Sequence, residues 1–514
     1  MKMLNHKASI LLLLLITLAT SSKAQSFTKI FNYATDIPSY TYDVVDMDIN
    51  AAIVGCRGDH IYDSTYIYYY DSISNTVDSA LARIASNIGS ATIFEKGNNN
   101  GWTTSQKLFA PFPNSGSEFG HDVAINGDYA FVGEKHGIDN ANQDYLKSTG
   151  AVHIYQKISN NWVHLQSLRP NDITDQKSIS ESQVHFGTSI STSGDYLVVG
   201  APSGKGLYGF VYVYKKSGSG TYNFEQKLES NRPGPAEFFG RAVDIDGDHI
   251  VVSAPASLGL PRIPQVYHFV KNSNDVWEYK NTIISSDIVD RDGFGSSLAI
   301  HNNNLIIGTS VKINIQANGQ KDTNGAVYFF ELSNSSWQQV NKITNSGIAN
   351  GYYFGMSVSL YNNLAVIGSH LENAMYIYKK NNSNTWDLHL KETNIDTLGG
   401  YFVDVHSNDI ILGSSQSATG YIYSIDNSTA GVPSFKSANI TLYPNPFVNT
   451  ITIDLGKQYS NADLRLLDIN GKEVYKSNHT SVKSINLNLT VNPGLYFAEL
   501  TVNGTVFYEK LIKH

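Results

Sequence analysis

The chain of 514 residues contains one cysteine, Cys56, and only 16% charged residues. A single thiol excludes a disulfide framework and any cysteine-built zinc or iron–sulfur centre. With no base placed near it by the sequence, Cys56 reads as a small apolar side chain and not as a nucleophile. The charged fraction falls below the roughly 25% usual in soluble proteins, so Asn, Ser, Thr and Gly must carry much of the contact with water. Acidic residues outnumber basic ones, 45 to 37, for a formal charge of −8. Phosphate contacts need concentrated Lys and Arg, so nucleic acid is excluded as a partner, and the overall acidity disfavours any strongly anionic one. Catalytic signatures are missing too. There is no H-E-x-x-H and no G-x-S-x-G, and the fifteen histidines are scattered along the chain. The stretch GAPSGKG from Gly200 to Gly206 imitates a phosphate loop, but it has three residues where four are needed between its glycines.

Long apolar runs are equally scarce. The run Ile10 to Ala19 follows Lys2 and Lys7 and precedes Ser22-Lys23-Ala24. A bilayer span needs about 20 residues, so residues 1–24 read as a secretory signal peptide, and no transmembrane segment is expected in the mature chain.

What the sequence does contain is a repeat. Phe-Gly occurs at Phe119, Phe186, Phe239, Phe294 and Phe354, and a small residue stands 14 positions after each Phe, at Gly133, Gly200, Ser253, Gly308 and Gly368. Between these marks, texts such as DVAINGDYAFVG read as an alternating strand, a tight turn and a more apolar strand. A third strand follows, as in GFVYVYKK, and then a fourth marked by an aromatic: Trp102, Trp162, Phe224, Trp277, Trp337 and Trp386. These aromatics read as packing residues repeated with the module. Degenerate copies ending at Gly55 and starting at Gly399 bring the number to seven. Seven four-stranded modules predict an all-β fold, a seven-bladed β-propeller over residues 25–427. The seventh module stops after three strands near Ile425. Residues 26–32, SFTKIFN, resemble the fourth-strand texts and are expected to close the last blade, leaving no unpaired edge.

Connections between second and third strands vary in length while the turns between first and second do not. The variable rim is therefore the candidate binding face. Its long members are residues 57–89, 134–149, 169–184 and 309–324. In the first lie Tyr66, Tyr68, Tyr69 and Tyr70, which with Tyr145 are the partner-contact candidates. Val77, Leu81, Ile84 and Ala85 fall at helical spacing and predict a short helix within 75–87.

Phe-Gly, VVGAP at Val198 to Pro202, VYVY at Val211 to Tyr214 and an aromatic followed by a QKL-like strand together resemble the FG-GAP repeat family, whose best-known members form the seven-bladed propeller of integrin alpha chains. The resemblance covers most of residues 25–427. Many family members hold calcium in a D-x-D-x-D-G loop between the first two strands; here that loop has shrunk to a turn. Asp244, Asp246 and Asp248 are the nearest approach to a calcium site and read as turn residues, so no cofactor is expected.

After a linker at 428–439, residues 440–514 change character to short alternating strands with Gly and Pro turns, predicting a small immunoglobulin-like β-sandwich. Tyr443-Pro444-Asn445-Pro446, Asn470-Gly471-Lys472, Pro493-Gly494-Leu495-Tyr496 and the strand Lys510 to Lys513 resemble the C-terminal sorting domain of the type IX secretion system of Bacteroidota. That resemblance implies a sorting signal carried by Pro444, Asn445, Pro446, Gly471, Gly494, Tyr496, Lys510 and Lys513, with the type IX translocon as partner. It also implies a destination outside the cell or on its outer surface. The expected function is non-enzymatic binding of a protein or glycan through the rim, in adhesion or nutrient capture. The alternative is a secreted carbohydrate-active enzyme, a glycoside hydrolase or lyase, using paired carboxylates on the same rim.

Overall fold

The structure, a computed structural model, describes residues 27–29, 43–59, 67–71, 76–80, 87–97, 101–137, 149–170, 184–255, 263–289, 292–315, 321–344, 353–393, 399–414, 421–425, 440–468, 472–502 and 505–514. They fall into two compact units, one within Ser26–Ile425 and one within Asp426–His514.

In the first unit the described residues form seven four-stranded antiparallel sheets. Sheet 1 comprises Asp43–Met47, Ala51–Cys56, Ser90–Lys96 and Trp102–Leu108; sheet 2, Phe119–Asn126, Tyr129–Glu134, Ala151–Ile158 and Asn161–Leu168; sheet 3, Ser189–Ser193, Tyr196–Ala201, Phe210–Lys216 and Tyr222–Leu228. Sheet 4 comprises Val243–Asp246, His249–Ala254, Gln265–Lys271 and Trp277–Ile283; sheet 5, Phe294–His301, Asn304–Ile315, Lys321–Ser333 and Ser336–Thr344; sheet 6, Phe354–Tyr361, Leu364–Ser369, Ala374–Lys380 and Trp386–Glu392. Sheet 7 joins Gly399–His406, Asp409–Ser414 and Tyr421–Ser424 to Phe27–Lys29, which pairs Phe27 with Tyr423 and Lys29 with Tyr421. The first strand of each sheet lies against the first strand of the next, and that of sheet 7 lies against that of sheet 1, so the sheets close into a ring.

The two marks that bound the interval of 14 residues have steric roles. Each Phe of the Phe-Gly pairs is buried, and in sheets 3 to 6 it meets a third-strand tyrosine of its own sheet edge-on, at 5.2 to 5.4 Å between centroids. The following glycine adopts φ of +79° to +89°, which only glycine takes without strain. Its carbonyl faces the second strand of the preceding sheet. A Cβ on Gly133, Gly200, Gly308 or Gly368 would stand 2.0 to 2.2 Å from the carbonyl oxygen of Gly187, Gly240, Gly355 or Gly400. The Phe-Gly glycine of one sheet and the small residue of the sheet before it are thus two sides of one contact.

Fourth strands bind the ring at its outer edge. Trp102, Trp162, Trp277, Trp337 and Trp386 are all buried. Side-chain amides of Gln106, Gln166 and Gln226 each clasp the backbone of the next sheet's aromatic, donating to the carbonyl and accepting from the N–H of Trp162, Tyr222 and Trp277 at 2.8 to 3.0 Å. In sheet 3 the aromatic position belongs to Tyr222, not to Phe224 as the sequence suggests. Tyr222 pairs with Lys216 as Trp277 pairs with Lys271, and is 1% exposed against 40% for Phe224. Two aromatics two residues apart satisfy the same text, and only the pairing register separates them.

Two further expectations fail. The helix predicted within 75–87 is replaced at Thr76–Ala80 by a strand paired with Ile67–Asp71. Thr76, Val77 and the facing tyrosines prefer extended backbone, and a partner strand outweighs a helical spacing of four apolar residues. The long connection at 309–324 is largely an extension of sheet 5's hairpin, paired from Lys312 with Asn324 to Ile315 with Lys321.

The second unit consists of Thr441–Tyr443, Thr450–Asp468, Glu473–Asn488, Gly494–Val502 and Thr505–Lys513, hydrogen-bonded as one five-stranded sheet. Pairing along Thr450–Asp468 is interrupted between Asp454 and Tyr459. Apolar residues alternate on both sides of the break, Ile451, Ile453 and Leu455 before it and Ala462, Leu464 and Leu466 after it, and all six enter one core. Among the described residues no helix is long and apolar enough to cross a membrane.

Candidate functional site

The inner strands of the ring have two unlike ends. From the third residue after each Phe to the tight turns, polar side chains are spent on the neighbouring sheet's backbone. Asp46 accepts the N–H of Ile125, Asp122 that of Ile190, Asp244 that of Ile300 and Asp404 that of Met47, at 2.6 to 2.8 Å. Serines do the same elsewhere, Ser189 accepting from Val243 and Ser357 from Val403. Such acceptors satisfy N–H groups that face another sheet instead of a strand partner.

This ladder accounts for the acidic triplet. Asp244 also accepts the Ser191 hydroxyl at 2.6 Å, Asp246 accepts the N–H of Asn302, and Asp248 pairs with Lys271 at 2.9 Å. The three carboxylates serve three different partners instead of converging. Burial raises Asp122 and Asp244 to about 7 and Asp404 to about 6. Asp46 and Asp404 share a hydrogen bond across the seam between sheets 1 and 7, and burial together with Asp404's charge drives Asp46 well above the usual carboxylate range.

At the Phe-Gly end the same repeat presents different chemistry. Glu118, His185 and Tyr353 immediately precede Phe-Gly and take left-handed φ of 55°, 56° and 69°, a conformation that costs a non-glycine residue and clusters at functional sites. His121, Arg241 and Tyr401 stand immediately after the glycine of sheets 2, 4 and 7, while Arg57, Lys135, His136 and His370 lie just past the ends of second strands. The ring brings these together. Glu118 contacts His121 Nδ1 at 3.0 Å, Lys135 Nζ at 3.8 Å and His136 Nε2 at 3.9 Å. Arg57 Nη1 lies 3.4 Å from His121 Nδ1, His136 and His185 pack edge-on at 5.0 Å, and His185 Nδ1 is 2.7 Å from the Ser203 hydroxyl. Across the mouth, His370 lies between Tyr353 and Tyr401, each ring 4.7 Å away.

Burial opposes the charge on Glu118, but His121's hydrogen bond and Lys135's charge pull it down to about 2. Burial pushes His121, His185 and His370 down to about 4, so these imidazoles are neutral at pH 7. The charges left are Arg57, Lys135 and Arg241 against Glu118 and the partly ionised, buried Asp122 within reach of Arg241. Burial lowers Lys135, and the protein crowding the base of the solvent-accessible Arg241 lowers it too; Arg57 and Arg241 repel Lys135, and Arg57 repels Arg241, so the three cations share one field. A chain that is acidic overall therefore carries a basic, donor-rich mouth. The scattered histidines of the sequence become a cluster because the ring superposes positions about 60 residues apart; the signal was their place beside Phe-Gly. No group of three or more His, Cys, Asp or Glu that could hold a metal occurs among the described residues.

Of the tyrosines expected to contact a partner, Tyr66 and Tyr145 lie outside the described residues, while Tyr68, Tyr69 and Tyr70 belong to the two-stranded hairpin. In the second unit, Asn445 donates to the Lys510 carbonyl at 2.7 Å and accepts the Ile512 N–H at 2.9 Å, stapling the segment Pro444 to Pro446 to the last strand. Lys513 is buried, its ammonium donating to the carbonyls of Val448 and Leu489. Tyr496 is buried with its hydroxyl on the Asn492 carbonyl at 2.6 Å, and Gly494 opens the strand that pairs with Lys513. Gly471 lies outside the described residues, flanked by Asp468 and Lys472, which bond to each other at 2.9 Å.

Residues 441–514 match the secretion system C-terminal sorting domain, and residues 102–155, 277–330 and 337–384 match the FG-GAP repeat. No curated protein matches the chain. Among solved structures, similarity extends to a Lactobacillus plantarum protein (12% identity, 72% of this chain and 96% of that one, TM-score 0.39). A second is the periplasmic gluconolactonase of Pseudomonas aeruginosa (12%, 70% and 86%, TM-score 0.37). A third is the hydrazine synthase of Kuenenia stuttgartiensis (11%, 77% and 99%, TM-score 0.46). The sorting domain marks the chain for type IX secretion to the cell surface or the extracellular space. The chain thus carries FG-GAP repeats and, at its C-terminal end, a type IX secretion sorting domain of the kind found in Bacteroidota.

Proposed function

We propose that the protein is an exported binding module, a closed seven-bladed propeller over residues 25–427 that captures a protein or glycan partner at its Phe-Gly mouth. Residues 1–24 are its signal peptide and 428–439 its linker. Residues 440–514 are an immunoglobulin-like sandwich read by the type IX translocon. The observation that carries the binding role is the asymmetry of the inner strands. Polar groups between the Phe-Gly pair and the turn are committed to neighbouring backbone, whereas the residues flanking Phe-Gly and those past the second strands gather Arg57, Lys135, His121, His185 and Arg241 beside an aromatic wall. Rigid scaffolds present recognition groups in this way. The enzyme alternative needs two carboxyl groups facing one substrate. At this mouth Glu118 is engaged by His121 and Lys135, and the raised carboxyls of the turn end are engaged by backbone, which favours binding over hydrolysis.

The test is capture of glycans on an array and of extracellular surface fractions by the full chain, compared with a variant carrying Arg57→Ala, Arg241→Ala and Tyr401→Ala together. Loss of at least tenfold in capture with unchanged melting temperature is expected. Equal capture by both would remove the mouth from the binding role.

A further inference from the structure

We infer that the Phe-Gly mouth recognises an acidic sugar residue, its anionic group held by Arg57, Lys135 and Arg241 and its ring laid against Tyr353, His370 and Tyr401. This rests on the reading of that mouth as the binding site and names the chemistry it takes.

Four observations converge. Three cations close enough to repel one another face two carboxyl groups, Glu118 beside Lys135 and the buried Asp122, raised to about 7, beside Arg241, so the local balance stays positive on an acidic protein. That excess favours a ligand bringing negative charge. Arg241 is exposed at the surface of the mouth, and its guanidinium offers the planar fork that suits carboxylate and sulfate oxygens. Tyr401 lies within electrostatic reach of Arg241, so the cationic and aromatic walls belong to one site. Finally, His370 is 7% exposed, sits between two tyrosine rings, and its Nδ1 meets no hydrogen-bond partner among the described residues. A buried unsatisfied nitrogen is costly to leave so, and a ligand hydroxyl entering between the tyrosines would satisfy it.

A sugar acid presents all that these walls require: an apolar ring face for the aromatics, hydroxyls for the imidazole, and an anion at its rim. An acidic peptide would answer the cations and leave the aromatic wall and the His370 nitrogen unanswered. The acidity of the whole chain pointed away from anionic partners. The mouth reverses that expectation because residues from sheets 1, 2 and 4 pool their charge at one point.

Calorimetric titration of the full chain would compare a hexameric uronate, a sulfated oligosaccharide and a neutral oligosaccharide of equal length, and a hexaglutamate peptide. At least one acidic sugar is expected to bind tenfold or more tightly than the neutral one, the two acidic probes separating carboxylate from sulfate. Arg241→Ala should cut that affinity at least tenfold and Tyr401→Ala several-fold, with melting temperatures unchanged. Equal binding of neutral and acidic sugars would overturn the acid specificity. Hexaglutamate binding as tightly as the acidic sugar would overturn the sugar. Failure of every probe would overturn the inference, and the capture experiment with the triple variant tells separately whether the mouth binds anything.

Discussion

The turn end and the Phe-Gly end of the ring are written by the same repeat, yet they use polarity in opposite ways. Between the Phe-Gly pair and the turn, Asp46, Asp122, Asp244, Asp404 and a series of serines hand their lone pairs to N–H groups of the next sheet. The chemistry is nearly uniform around the ring because its task, joining one sheet to the next, is the same each time. At the Phe-Gly end the glycine contact adds to this joining, and the residues immediately flanking the pair differ from sheet to sheet. Conformity marks what holds the ring together; divergence marks what the ring displays.

Glycine substitution gives the largest contrast. Gly308→Ala would set a Cβ 2.0 Å from the Gly355 carbonyl, against backbone that cannot move aside, and is expected to cost ~3 kcal/mol or more. Gly127→Ala, in a turn with φ of +57° and nothing within 4 Å, should cost only about 1 kcal/mol. Urea midpoints of the two variants check this, and equal losses would erase the distinction between the ends. At the outer edge, Trp277→Ala should cost about 3–5 kcal/mol through the cavity it leaves. Gln226→Ala, which removes two hydrogen bonds to the Trp277 backbone, should cost ~1–2 kcal/mol. A larger loss for the glutamine would make the clasp, not the aromatic, the principal joint.

The smallest effect is in pH dependence. Asp122 and Asp244 sit near 7 in the folded chain, above the ordinary carboxylate value of about 4. The native state therefore binds more protons than the unfolded state between about pH 4 and 7, and the contribution of these groups falls as pH rises through that window. Asp244→Asn keeps an acceptor for the Ile300 N–H and removes the titration. Its melting temperature should gain on the wild type between pH 5 and pH 8. The histidines of the other end act with the opposite sign: His121 and His185, held near 4, contribute stability above about 6.5 that is lost as pH falls. A wild type and an Asp244→Asn variant with parallel pH profiles would show that the turn-end carboxyls titrate normally.

Much of the architecture could be read from the amino acids. The Phe-Gly marks, the interval of 14 and the hairpin texts specify sheets because they record local pairing and one steric contact, both of which repeat in sequence. The strand at Phe27–Lys29 was legible through its likeness to other fourth strands. The basic mouth was not, since Arg57, His121, His185 and Arg241 become neighbours only after the ring closes. Burial, which no single segment reveals, is what leaves the imidazoles neutral. The partners of the acidic triplet were hidden as well: Asp244, Asp246 and Asp248, alternate residues in sequence, serve three separate partners in space. Phe224 and the helix within 75–87 failed for a shared reason, because pairing register and partner strands decide such cases and neither is visible in a local pattern.

The seam of sheet 7 has a mechanical side. Phe27 pairs with Tyr423 and Lys29 with Tyr421, so the chain enters the first strand and leaves the third at the same end of the pair. Tension applied between the two would peel the hydrogen bonds one after another instead of shearing them together. Only a few residues oppose it, whereas each remaining sheet is continuous in sequence and shielded from such a load until the seam has parted. The ring is a belt with a buckle, and anything that pulls on its ends works the buckle first.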